Sequence, residues 1–166
     1  MGMISYWNPG PGENCTANAI IAEFSIPIVL KHAWCCSSLE PNYRLTENFK
    51  SADYLVLNFG YGTSTVEQLQ EIAKPFRYIL LEVVKWNNGE WQNRHRLIFK
   101  LTTTIHDKHR FRECVEYMSR LFASQRPMTE HSPVHLWGPG KRVLVTNKDG
   151  VNIDPEVHAV YQRRYF

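Results

Sequence analysis

The dipeptide Asn88-Gly89 constrains the fold of this chain more than any other sequence feature. It separates two runs, 78–86 and 91–103, that are rich in apolar, aromatic and alternating polar residues. A two-residue type I′ turn needs positive φ at both central positions, and Asn followed by Gly tolerates this best. We therefore expect a β-hairpin with this dipeptide as its loop.

The same turn fixes which side chains face each other across the hairpin. Counting outward from the loop places Trp86 opposite Trp91 and Glu82 opposite His95. A carboxylate beside an imidazole orients the ring and raises its basicity, so Glu82 and His95 are candidate catalytic residues for general acid–base chemistry. The alternative is a structural polar pair, because ion pairs in a protein framework perturb pKa values equally well.

Two amphipathic helices flank the hairpin in the sequence. The first has the spacing of a capping box, Ser64 with Glu67, and ends before Pro75. The second is capped by Asp107 and carries apolar residues at helical spacing from Phe111 onward. Each helix has one apolar face, which predicts packing against a sheet.

The order of these elements predicts the fold class. From Asp53 to Ile153 the chain reads strand–helix–strand–strand–helix–strand, which is the split βαβ, or ferredoxin-like, arrangement of an α+β protein. We expect an antiparallel sheet with two helices on one face and the other face open. A C-terminal hairpin over 134–146 is predicted to elaborate this core, and the whole chain, 1–166, is predicted to be a single domain.

Segments outside this core are predicted to elaborate it. Residues 1–50 form an N-terminal extension, with a helix capped by Asn14 and a strand from Ile26 to Trp34. Residues 154–166 form a helical tail, because Asp154-Pro155-Glu156 combines a cap, a proline at the first helical position and an acid in the first turn.

Composition restricts the classes of function. The chain has 166 residues and a net charge of +3, with 19 basic and 16 acidic side chains. Dedicated DNA-binding domains are usually far more basic, so we expect nucleic acid to be an unlikely partner. No apolar run approaches the roughly 18 residues that span a bilayer, which predicts no membrane association. Four cysteines without CxxC spacing favour a reduced, cytoplasmic protein.

Three basic residues alternate along the second strand of the predicted hairpin: Arg94, Arg96 and Lys100. Side chains at this spacing project from one face of a sheet. They are therefore candidate ligand-binding residues for a small anionic molecule or an acidic partner, with a solvated charged face as the alternative. Weak RNA binding is a further alternative, although this strand lacks the glycines and paired aromatic residues of RNA-recognition motifs.

Cys15 is an alternative nucleophile. The segment Asn14-Cys15-Thr16-Ala17-Asn18 stands at a predicted helix start and resembles the nucleophile segment of papain-like thiol hydrolases. A helix N-terminus lowers the pKa of a thiol. The segment His158-Ala159-Val160-Tyr161 resembles the one that carries the histidine of these hydrolases. However, no Asn or Asp follows His158 to orient its imidazole, so a small buried cysteine is the competing interpretation.

We expect neither a metal site nor a cofactor. His106 and His109 stand at the start of the second helix and His131 and His135 lie beyond its end, so about 20 helical residues, or roughly 30 Å, separate the two pairs. No phosphate-binding glycine loop of the Walker type is present.

The last residues of the chain are of interface type: Tyr161, Arg164, Tyr165 and Phe166. Our main hypothesis is therefore a homo-oligomeric binding module that uses the open sheet face and this tail to hold a protein partner or a small anionic ligand. The alternatives are a small enzyme that uses the Glu82 and His95 pair, a thiol hydrolase at Cys15, and a weak RNA binder.

Overall fold

The computed structural model describes residues 2–8, 18–42, 44–128 and 131–156. These residues form a mixed α/β structure with two antiparallel sheets and three α-helices. No helix in these ranges is long and apolar enough to cross a membrane.

The smaller sheet lies at the N-terminus and has the strand order β2-β1-β3. Its strands are β1 (Met3–Trp7), β2 (Ile20–Glu23) and β3 (Ala33–Cys35), with helix α1 (Ile26–Lys31) between the last two.

The larger sheet has six strands, in the order β4-β5-β7-β6-β9, and β8 pairs with the end of β5. Its strands are β4 (Ser37–Leu39), β5 (Phe49–Phe59), β6 (Tyr78–Asn87), β7 (Glu90–Ile105), β8 (Pro127–Met128) and β9 (Arg142–Asn147). Helix α2 (Val66–Ala73) connects β5 to β6, and helix α3 (Lys108–Leu121) follows β7.

The predicted hairpin is confirmed, together with its register. Strands β6 and β7 pair from Tyr78↔Phe99 to Asn87↔Glu90, with Trp86 opposite Trp91. Asn88 and Gly89 have φ values of 49° and 81°, as a type I′ turn requires.

One face of the large sheet packs against α2 and α3. Phe59 of β5 and Phe99 of β7 lie on this face, and their ring centroids are 5.7 Å and 6.0 Å from that of Phe122, which follows α3. Tyr78 of β6 lies on the same face and is hydrogen-bonded to Gln70 of α2. Residues from both helical segments thus contact this face of the sheet.

The opposite face, which the sequence led us to expect open, is partly covered by the N-terminal elements. Phe24, after β2, stacks on Tyr54 of β5 with a centroid distance of 4.6 Å. Trp34 of β3 exchanges two backbone hydrogen bonds with Trp137, at 2.8 and 2.9 Å. The expectation was wrong because the apolar side chains of the N-terminal segment bury themselves on the sheet instead of forming a separate extension.

Two predictions for the N-terminal segment also need correction. The predicted strand from Ile26 to Trp34 is helix α1 followed by β3, because Pro27 stands in the first helical turn, where its fixed φ suits a helix and its missing N–H costs nothing. The end of the helix predicted after Asn14 is a strand instead, because Ile20–Glu23 form β2, which pairs with β1. Residues 9–17 lie outside the described ranges.

Two further elements differ from prediction, and a third cannot be compared. Helix α2 is capped by Thr65 and Gln68 rather than by Ser64 and Glu67, since the Thr65 hydroxyl accepts from the Gln68 N–H at 3.2 Å. Residues 134–137 do not form a strand of a C-terminal hairpin. Their place beside β9 is taken by β6, which offers a longer apolar edge. Most of the predicted tail helix, from residue 157 on, lies outside the described ranges.

Candidate functional site

Glu82 and His95 are opposed across β6 and β7 as predicted, on the face that packs against the helices. The carboxylate of Glu82, however, is ion-paired with the guanidinium of Arg142 on β9. Burial lowers the pKa of His95, while the carboxylates of Glu82 and Glu67 act in the opposite direction. The carboxylate of Glu82 therefore interacts mainly with Arg142. Burial favours the neutral form of the His95 imidazole.

The basic strand residues share one face, but they line two different cavities. Lys100 lines a cavity of about 300 Å³ together with Phe24 and Tyr54. Arg94 and Arg96 line a different groove, of about 750 Å³, near the other end of the strand. The three residues therefore do not act as one site.

We call the second cavity the arginine groove. It lies between β7, the end of β5 and the loop before β9. The polar and aromatic side chains that line it are Asn58, Lys85, Arg94, Arg96, His135 and Trp137.

Arg96 forms the floor of the arginine groove and is only 4% exposed. Its Nε donates to Oδ1 of Asn58 at 3.3 Å, and its Nη1 donates to the carbonyl oxygen of Gly138 at 2.6 Å. Its guanidinium also lies 4.9 Å from the centroid of the Trp137 ring. Burial lowers the pKa of Arg96 to about 10, so the side chain still carries its charge at neutral pH. All three partners are uncharged, so none of them neutralises this buried cation.

Arg94 lies two residues away on the same face. Its Nη2 donates to Oε1 of Gln92 at 3.4 Å, and its Nη1 lies 3.9 Å from Sδ of Met128. Its Nε is buried without a hydrogen-bond partner. Within the described residues, neither Arg94 nor Arg96 has a carboxylate partner.

The arginine groove is thus suited to bind an anion. A guanidinium presents a planar fork of N–H donors that matches the oxygens of a phosphate or carboxylate. Arg96 is desolvated in the folded protein, so an anion that enters the groove meets a weakly screened positive charge. Lys85, exposed at the groove edge, adds a third cation.

Sequence reasoning identified the two arginines but missed the residues that hold them. Trp137 and Gly138 come from a loop that is distant in sequence, and Asn58 comes from β5. The sequence Gly138-Pro139-Gly140 is typical of a turn, and the tryptophan that precedes it was the available signal.

Several other predicted site residues lie outside the described ranges. These are Cys15 and the tail residues Tyr161, Arg164, Tyr165 and Phe166. The described cysteines, Cys35, Cys36 and Cys114, are free and buried. Among the described residues no three His, Cys, Asp or Glu side chains gather where they could hold a metal ion.

No family model matches the chain, and no curated protein matches it. A solved structure, the AEP domain of the cyanophage S-2L primase-polymerase (PrimPol), is similar with a TM-score of 0.51 and 12% sequence identity. The similarity covers 95% of this chain and 85% of that domain. With 12% identity and this TM-score, the similarity shows that the two proteins share a fold.

This similarity overturns the expectation that nucleic acid is an unlikely partner. The neighbouring domain belongs to a primase-polymerase, an enzyme class that works on nucleic acid. The expectation was wrong because it rested on the average charge of the chain. A net charge of +3 says nothing about where the cations lie, and here two arginines line one groove.

Proposed function

We propose that this chain is a nucleic-acid-binding module and that the arginine groove is its phosphate site. The observation that carries the proposal is the burial of Arg96 without a carboxylate partner at the floor of an open groove. Buried charges in proteins are normally paired, so an unpaired one that faces a cavity indicates an anionic ligand. The fold shared with a primase-polymerase domain makes a nucleic acid phosphate the fitting anion.

The ligand's phosphate would lie between Arg94 and Arg96, with Lys85 at the groove edge. Hydrogen bonds between a guanidinium and a phosphate oxygen are shorter and stronger than neutral ones. The Nε of Arg94 is buried without a hydrogen-bond partner, so a ligand that reorients this side chain gains a donor that no protein group uses. Binding would therefore complete the hydrogen bonding of this side chain.

We also propose that residues from β5 to β8 form a ferredoxin-like unit. The strands β8-β5-β7-β6 stand in the order 4-1-3-2 relative to the chain, with β8 reduced to Pro127 and Met128. The two helices lie on one face, and the arginine groove lies on the other. In this arrangement β4 and β9 are additions at the sheet edges.

Acid–base catalysis by Glu82 and His95 is a weaker proposal than binding. A general base needs a carboxylate that is free to orient its imidazole, whereas the Glu82 carboxylate is held by Arg142. The two residues also lie on the face opposite the arginine groove, so they would not contact a phosphate bound between Arg94 and Arg96.

The test is the salt dependence of oligonucleotide binding, measured by fluorescence anisotropy. Arg94→Gln should weaken binding at low salt by about tenfold or more, the value of a charge-assisted hydrogen bond. It should also reduce the slope of log K against log salt concentration by about 0.7, the value for one lost contact to a single strand.

Arg112→Gln is the matched control. Arg112 is an exposed arginine of α3, on the other side of the sheet, and its removal changes the net charge equally. If both variants lower the affinity and the slope to the same extent, binding depends on total charge and the arginine groove is not the phosphate site.

A further inference from the structure

The tip of the β6–β7 hairpin carries two exposed tryptophans, which we call the tryptophan pair. Trp86 and Trp91 are 54% and 67% exposed. Their ring centroids are 5.1 Å apart with the planes at 70°, an edge-to-face contact. Such a contact stabilises a hairpin. It nevertheless leaves more than half of each indole in water, which pairing alone does not explain.

The hairpin tip is a ribbon of only two strands. In the described part of the chain, β5 pairs with β7 no further than Phe59↔His95, and β9 pairs with β6 no further than Glu82↔Arg142. From Val83 to Asn87 the ribbon therefore extends about 13 Å beyond its neighbours. Val83 is buried beside the loop before β9, whereas from Val84 to Asn87 the side chains are partly or fully exposed.

The two faces of this ribbon differ in chemistry. The tryptophan pair occupies one face, and the alternating positions Lys85, Gln92 and Arg94 occupy the other. Lys85 and Arg94 are also lining residues of the arginine groove, so the groove continues directly into the ribbon. A ribbon of two strands is about 5 Å wide, and a chain that follows its edge meets cations on one side and indole rings on the other.

We propose that the tryptophan pair is a stacking platform for unpaired bases, so that the ligand of this module is single-stranded nucleic acid. The inference rests on the proposed function of the arginine groove. Cations beside exposed aromatic rings are the combination that holds single strands, because phosphates pair with the cations and every base has a face that stacks. In a duplex the bases are already stacked on one another, and they cannot use the platform.

Glu90, at the hairpin tip, provides a further test of this proposal. It is the only acidic residue of the segment 85–92, and it accepts a hydrogen bond from Gln92 at 3.3 Å on the basic face. A phosphate backbone that passes along this edge would be repelled by its charge. Glu90→Gln should therefore strengthen oligonucleotide binding, whereas a purely structural hairpin tip would leave binding unchanged.

The experiment measures binding of labelled oligo(dT) and oligo(rU) of about twelve nucleotides and of a duplex of equal length. Trp91→Leu, which keeps apolar bulk without an aromatic face, should weaken binding of the single strands by roughly five- to 150-fold per lost base. Trp91→Phe, which keeps an aromatic face, should retain most of the affinity. If Trp91→Leu loses affinity equally for oligo(dT) and oligo(rU), the platform binds both DNA and RNA single strands. If it loses affinity for one of them alone, that nucleic acid is the ligand.

Tryptophan emission supplies an independent readout, because Trp7, Trp34 and Trp137 are buried and the tryptophan pair is exposed. Bound single strands should quench the emission of the exposed pair, and Trp86→Leu with Trp91→Leu should abolish this quenching. Thermal melting of each variant checks that the fold is intact, and Trp86→Leu, which removes the other exposed indole, serves in place of Trp91→Leu if the latter does not fold.

The outcomes separate this inference from the proposed function. If Trp91→Leu binds single strands as the wild type does while Arg94→Gln does not, the stacking platform is refuted and the phosphate site stands. If neither variant changes binding, both proposals fail. If size-exclusion chromatography with light scattering finds that Trp91→Leu converts an oligomer to a monomer, the pair is a self-association surface and the inference is overturned.

Discussion

The guanidinium of Arg96 lies 4.9 Å from the centroid of the Trp137 ring and donates to the carbonyl oxygen of Gly138 at 2.6 Å. One side chain of β7 thus fixes the loop that forms the wall of the arginine groove. The same buried cation therefore lines the floor of the arginine groove and holds its wall in place.

Replacing Arg96 with lysine tests the contribution of the guanidinium geometry separately from that of its charge. Arg96→Lys keeps a positive charge but loses the planar fork that reaches Asn58 and Gly138. We expect the free energy of unfolding to fall by about 1–3 kcal/mol, since buried acceptors lose their donor. Urea unfolding measures this change, with Arg112→Lys as the exposed control. Equal stability of the two variants would contradict the role assigned to Arg96.

The pH dependence of stability should depend on His95. Burial lowers its pKa in the folded state, so the unfolded chain binds the proton more readily. Stability is therefore unaffected above the unfolded pKa of about 6.5 and falls as the pH drops below it, until the folded-state pKa is reached. His95→Gln should flatten this part of the curve of unfolding free energy against pH.

NMR titration of the His95 ring provides the corresponding direct measurement. The Glu82 carboxylate opposes the effect of burial, so Glu82→Gln should lower the pKa of His95 further. A rise in the pKa of His95 in this variant would show that the assigned direction is wrong.

The described thiols should react slowly in the native protein. Burial raises the pKa of Cys35 to about 11 and that of Cys114 to about 12, and it raises the pKa of Cys36 as well. At pH 8 a thiol with a pKa of 11 is ionised in about one molecule per thousand. Iodoacetamide labelling followed by mass spectrometry should therefore modify these three only on unfolding.

The same labelling experiment addresses Cys15, the nucleophile suggested by the sequence. A rate for Cys15 above that of free cysteine would favour a thiol hydrolase, and an ordinary rate would remove that alternative. Fast labelling of Cys35 in the native protein would contradict its burial.

Gly150 should be sensitive to substitution although it lies in a surface turn. A Cβ at this position would stand 2.1 Å from the backbone carbon of Phe76, in a segment where Arg77 N–H donates to the carbonyl of Val151. We expect Gly150→Ala to cost about 1–3 kcal/mol of unfolding free energy, because backbone must move. Gly138→Ala is the control, since a Cβ there meets nothing within 4 Å. Similar melting temperatures for both variants would refute this close approach.

Local features of the fold were predictable because their causes are local. The Asn88-Gly89 turn specifies a hairpin over two residues, and the register of Trp86 with Trp91 follows by counting. The apolar face of α3 follows from spacing within one helix. The cap of α2 was misplaced by one residue because Ser64 and Thr65 both begin a sequence with capping-box spacing, and only the backbone geometry decides between them.

The arginine groove was only half predictable. Alternation placed Arg94, Arg96 and Lys100 on one face, as found, but the sequence does not indicate that Phe24 and Trp34 cover that face between them. Lys100 lines the cavity beside Phe24, whereas Arg96 is buried against Asn58, Trp137 and Gly138.

The sequence by itself determined the hairpin, the amphipathic helices and the shared face of the basic residues, since each depends on spacing along a few neighbouring residues. Only the tertiary structure decided that the N-terminal sheet lies on the large sheet, that Glu82 pairs with Arg142, and that Arg96 is buried beside Trp137. These outcomes depend on which apolar surfaces meet across long stretches of chain, and burial sets the electrostatic consequences of each charge.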